Sequence, residues 1–238
     1  MTKTGKRALT RSQWLCLALL ALAVPATLYV CYRAGNRHYY LAGVAILVYT
    51  ILPFFVRLER RTPSARELSV LAVMSAVAVV SRAAFIWAPH FKPICAIIMI
   101  SGAALGAEAG FLVGALSAFA SNFLFGQGIW TPWQMFAFGA CGFLAGVLCS
   151  RSHWKYKRVP FAIFVFATVF CLVGPLLDTA AVFTMPGVLN ASSVGAIYLS
   201  GVPVNLIHAL CAGLTALLVA QPLFERLDRI RTKYGMFL

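Results

Sequence analysis

Between Phe125 and Met135 the chain reads Phe-Gly-Gln-Gly-Ile-Trp-Thr-Pro-Trp-Gln-Met, a stretch bent by Gly126, Gly128 and Pro132 that carries two tryptophans and two glutamines. That mixture suits the binding of a small molecule. Trp130 can stack on a flat or bulky face while the amides of Gln127 and Gln134 hydrogen-bond a polar rim. For Trp133 the plainer role, anchoring a helix end at a membrane interface, is the stronger one.

Two charged residues, Arg82 and Asp178, lie inside otherwise apolar segments. A charge at the membrane centre costs ~3 kcal/mol on insertion scales, which makes it a functional residue by default. Both sit at similar depth, so they either neutralise each other or flank a ligand cavity. Asn122 and Gln134 approach the same level from either side of the aromatic stretch. Asn205 and His208 are three apart, hence on one helical face, and point first to an interhelical hydrogen bond. Glu108 belongs to a short turn and is expected to be solvated. No phosphate-binding glycine loop, H-E-x-x-H, G-x-S-x-G or paired carboxylates occur, so nucleotide hydrolysis and metal-dependent group transfer lack their usual equipment.

The elements that position these residues follow from composition. With 61% hydrophobic and 11% charged residues and a mean hydropathy of +0.86, the 238-residue chain has too little charge for a soluble surface. The predicted fold class is an all-α integral membrane protein. A spanning helix needs ~20 mostly apolar residues, and eight segments qualify: 14–32, 39–56, 67–87, 94–107, 109–124, 132–149, 159–184 and 196–221. The fourth and fifth are short for the task. Continuous apolar runs without alternation argue against a membrane barrel.

A net charge of +14 would suggest nucleic acid in a soluble protein, but here the charges alternate by side. Sixteen of the 20 basic residues precede the first segment, fill the second and sixth connections, or form the tail. Positive-inside then puts both termini in the cytoplasm, with anionic lipid and not nucleic acid as the partner of the basic excess. The basic, proline-containing connection at 57–66 divides the chain into a two-helix membrane hairpin, residues 1–60, and a six-helix core with a basic cytoplasmic tail, residues 61–238. The first apolar run is too long for a cleaved signal and has no small-residue cleavage site. The seven cysteines are scattered through apolar segments without C-x-x-C and read as small apolar residues, with no metal site.

Gly102, Gly106, Gly110 and Gly114 recur at four-residue spacing, and Gly139, Gly142 and Gly146 follow. Such residues let helix backbones approach closely in lipid. Ser69, Ala72 and Ala76 form a further small-residue stripe, which either packs internally or receives a helix of another subunit. Three connections on the outer face, at 88–93, 126–130 and 185–195, are rich in proline or glycine and almost uncharged; the first holds His90 and Lys92.

The run from Lys92 through Gly106, and that from Ala109 to Met135, resemble the substrate-binding S-components of energy-coupling factor (ECF) transporters. The likeness is specific over about 67–150 and looser to 221. The resemblance implies a six-helix core preceded here by the extra hairpin. It also implies a vitamin as transported ligand, with no cofactor and no enzymatic activity in this subunit. The partners implied are a transmembrane coupling subunit and two cytoplasmic ATPases in the plasma membrane, substrate being handed across by reorientation in the bilayer. It matches Ala72 and Ala76 to the family's partner-docking stripe, which Ser69 extends, and places the outer connections with His90, Lys92, Gln127 and Trp130 over the ligand; Arg82, Asn122, Gln134 and Asp178 complete the candidate substrate-binding set. The loop type resembles cobalamin S-components, with riboflavin, a queuosine precursor or another vitamin as alternatives. A membrane-embedded enzyme and an assembly subunit are the readings from other classes.

Overall fold

The computed structural model describes residues 64–149, 152–184 and 191–237, with scattered positions before residue 64. From residue 64 on it forms six helices: α1 Ala65–Ala83, α2 Ile94–Leu105, α3 Ala107–Phe125, α4 Thr131–Cys149, α5 Arg158–Thr184 and α6 Ala191–Tyr234. The expected segments at 14–32 and 39–56, and the hairpin drawn at 1–60, lie almost wholly outside the described residues. Among the described residues four helices, α3 to α6, are long and apolar enough to cross a membrane.

The shortest helix organises the rest. No residue of α2 is charged and no face of it is polar, so it is stable only when surrounded. All 12 of its residues are buried, with α1, α3, α4 and α6 packed around it. At 1.5 Å per residue it is about 18 Å long, well short of a ~30 Å hydrocarbon core. Its last carbonyls have no partner within the helix. Lys155 Nζ reaches Ala103 O at 3.3 Å and Arg231 Nη1 reaches Ala104 O at 3.4 Å, placing cations where the helix dipole favours them.

The glycine spacing does what close packing requires. A Cβ on Gly102 or Gly110 would strike the Gly142 carbonyl, and one on Gly142 would strike that of Gly110. Backbone therefore meets backbone where α2, α3 and α4 converge. Gly106 alone links α2 to α3, at a φ of 108° that a side chain would resist.

Helix α5 contains one π-helical turn, Val169–Val173. Pro175 cannot donate to the Cys171 carbonyl and its ring crowds that position; a wider preceding turn relieves the clash and shifts the register of everything after it. Helix α6 runs for 44 residues through Pro203 and Pro222. It absorbs both the basic tail and part of the connection expected at 185–195, because neighbouring helices support the turns that proline weakens.

At the basic end the chain is stitched together by polar contacts. Ser64 and Glu67 form a capping box at the start of α1, and Glu67 Oε1 accepts from Phe237 N at 2.7 Å. Lys155, 4% exposed, lies 3.9 Å from Asp228. Burial holds its ammonium below the ordinary lysine value and Asp228 pulls it part of the way back. Glu108 is half-buried in the first turn of α3 and not simply solvated, since its turn is pressed against the bundle.

Candidate functional site: a buried polar network at the aromatic end

The opposite end carries the α3–α4 turn. Gly126 turns the chain at a φ of 97°. Thr131 N donates to Gly128 O, and Gly128 N donates to Thr131 Oγ1 at 3.1 Å, closing the turn on itself. Pro132 follows in the first turn of α4, where its missing N–H costs nothing.

Asn122 on α3 is 1% exposed and is the centre of the network. Its Nδ2 donates to Thr131 Oγ1 at 3.1 Å and to Gln134 Oε1 at 2.8 Å, and its Oδ1 accepts from Arg82 Nη1 at 3.0 Å. Arg82 also donates to Ser121 Oγ. Thr131 Oγ1 donates to Gln127 Oε1 at 2.9 Å, and Gln127 Nε2 donates to Phe119 O at 3.0 Å. Arg82, Asn122, Gln127 and Gln134 thus join α1, α3, the turn and α4 in one connected set.

Lys92 enters through an aromatic ring. The Arg82 guanidinium carbon lies 4.3 Å and the Lys92 ammonium 4.6 Å from the Phe125 centroid, both within cation–π range. Lys92 Nζ also donates to Phe85 O at 3.2 Å. Burial, and then the Arg82 charge, hold Lys92 below the ordinary lysine value. His90, two residues earlier, is exposed at a φ of 60°.

Trp130 is 44% exposed, and its ring lies over Gly128, where any Cβ would meet it. Trp133 departs from the interfacial anchor expected of it. It is 2% exposed and stacks on Phe183 at 6.1 Å, because the α4 turn after Pro132 rotates it toward α5 and away from the lipid side.

Asp178 is not brought to Arg82. Its carboxylate accepts from Asn205 Nδ2 at 2.7 Å, with Gly201 backed against it and Gly174 against Asn205. The interhelical bond expected of Asn205 is therefore present, linking α5 to α6. His208, one turn on, takes another course: it meets Phe138 edge-on at 6.4 Å, and its Nε2 is buried without a hydrogen-bond partner. Cys95, read as merely apolar, is its polar neighbour and is fully buried at the start of α2.

Ser69, Ala72 and Ala76 are exposed on α1 beside Val73, Val77 and Val80. Among the described residues nothing packs over the stripe. Ser121, Phe125 and Thr131 complete the network and were not singled out by spacing. The one usable signal was Thr-Pro at a helix start.

Apolar helices around a buried polar node, with no strand among the described residues, define the class: a helical membrane protein whose polar chemistry is gathered toward one end. Residues 62–227 match the family model described as ECF-type riboflavin transporter, S component. The chain belongs to that family, which makes it the substrate-binding subunit of a vitamin transporter and not an enzyme. No curated protein and no solved structure matches it.

Proposed function

We propose that the chain binds a flavin-type vitamin, riboflavin or a close derivative, at its aromatic end and delivers it across the plasma membrane. The sequence points first to cobalamin and holds riboflavin as an alternative; the family match over residues 62–227 reverses that order and carries the reading. The half-exposed Trp130 ring supports it. This ring offers a stacking surface next to the amides of Gln127 and Gln134, and a flavin presents a flat face with a hydrogen-bonding rim. Both amide hydrogens of Asn122 are taken up by Thr131 and Gln134 and its oxygen accepts from Arg82, which gives it the role of positioning the turn.

In the same proposal the basic end faces the cytoplasm with both termini, by positive-inside, and residues 1–60 form a hairpin separate from the core at 61–238. Delivery requires a transmembrane coupling subunit and two ATPases. The exposed Ser69–Ala72–Ala76 stripe on α1 is the surface proposed to meet the coupling subunit, because small side chains allow a partner helix to approach closely.

Titration of the detergent-purified protein with riboflavin, followed by quenching of flavin fluorescence, tests the ligand. Saturable quenching that weakens about tenfold in Trp130→Ala is expected, in line with the loss of one aromatic stacking contact. Cobalamin is the competitor in the same cuvette. Displacement by cobalamin, or a corrinoid absorbance change with no flavin quenching, would restore the corrinoid reading.

A further inference from the structure

Arg82 is 9% exposed, and its hydrogen-bond partners are two neutral side chains, Ser121 and Asn122. An intramembrane arginine is usually matched by an acid or opens to water. Here a second cation, Lys92, lies on the same Phe125 ring. The two repel, and Lys92 is held below its ordinary value in part by Arg82.

No described carboxylate relieves them. Glu67, Glu225 and Asp228 lie at the basic end, Glu108 is in the first turn of α3, and Asp178 is bonded to Asn205. One further observation points the same way. The N-terminus of α2, which begins two residues after Lys92, has no side-chain cap and no acid in its first turn, although Ile94 and Cys95 are fully buried. Uncapped N–H groups and the positive end of the helix dipole favour an anion.

We propose that Arg82, Lys92 and the N-terminus of α2 form an anion subsite, and that the transported vitamin carries a carboxylate or phosphate seated there. The proposal rests on the aromatic end being the ligand site and narrows the ligand to an acidic derivative. Binding of such a group offsets the repulsion between two cations, and its oxygens accept from donors that no acid in the described chain satisfies. A neutral flavin would leave both cations as they are.

The test uses full-length protein in a maltoside detergent, which contains no phosphate. Melting is followed in inorganic phosphate and in chloride at matched ionic strength, and flavin mononucleotide and riboflavin are titrated in parallel. Phosphate should raise the melting temperature of the parent and of Lys92→Arg but not of Lys92→Met. Flavin mononucleotide should bind at least tenfold tighter than riboflavin, an advantage lost in Lys92→Met and kept in Lys92→Arg. Stabilisation by phosphate with no binding of either flavin would support the anion subsite and overturn the flavin reading. Riboflavin binding as tightly as its phosphate ester, with no phosphate effect, would overturn the subsite and leave the flavin reading standing. Stabilisation by a short-chain phosphatidylglycerol but by neither phosphate nor flavin mononucleotide would assign the cations to a lipid headgroup and overturn the proposal.

Discussion

Removing the Asn122 side chain should release the aromatic turn from the bundle. Asn122→Ala deletes three side-chain hydrogen bonds, to Arg82, Thr131 and Gln134. Interhelical hydrogen bonds within membranes average ~0.6 kcal/mol, so the three together contribute about 2 kcal/mol. The Arg82 donor is left buried with one acceptor fewer, which adds roughly 1 kcal/mol at the low end of the cost of an unsatisfied group. The expected destabilisation is therefore about 3 kcal/mol, read by unfolding in mixed micelles with the fluorescence of Trp130 and Trp133 as probes. A double-mutant cycle with Gln134→Ala isolates one bond and should return a coupling near ~0.6 kcal/mol. A loss below about 0.5 kcal/mol in the single variant, together with additivity in the cycle, would refute the network as the element that holds the turn.

Gly142→Leu should prevent assembly of the bundle, since even a Cβ there strikes the Gly110 carbonyl; monodisperse folded protein on gel filtration would contradict that packing. Ala76→Trp, on an exposed position of α1, should leave ligand titration unchanged and abolish co-purification with the coupling subunit, while retained co-purification would move the contact elsewhere. The Tyr156 hydroxyl is pushed up to about 12, first by burial and then by the hydrogen bond it donates to Asp228. Its folded value lies above the ordinary value of 10.0, so the stability it contributes is intact below pH 10 and is lost as pH rises toward about 12. A phenolate absorbance titration should show one late-titrating tyrosine that disappears in Tyr156→Phe, and titration of that group near pH 10 would sink the assignment.

Much of the candidate site was legible as a set of residues and little of it as a set of pairs. Arg82, Asn122, Gln127 and Gln134 stand out because polar groups are rare in this composition. That Arg82 selects Asn122, 40 positions away, and not Asp178 depends on the order of helices around α2. Trp133 and Trp130 look alike in sequence, three positions apart, yet one is 2% and the other 44% exposed. Trp133 lies on the side of α4 that faces α5, whereas Trp130 belongs to the turn before α4 begins. His208 and Asn205 share a helical face, but only Asn205 meets an acid, because the π turn sets the register of Asp178 on α5.

What the sequence determined by itself was the membrane class, the positions of most helices and the glycine seam. These depend on hydropathy and spacing along one segment, and they persist whatever the neighbours are. Tertiary structure alone decided that the short α2 stands at the centre, that α6 continues through two prolines into the basic tail, and that two cations share one ring. A helix that is apolar on every side carries no periodic mark of its own rotation. Its neighbours, and every polar partner they bring, are chosen only when the backbones close at Gly102, Gly110 and Gly142.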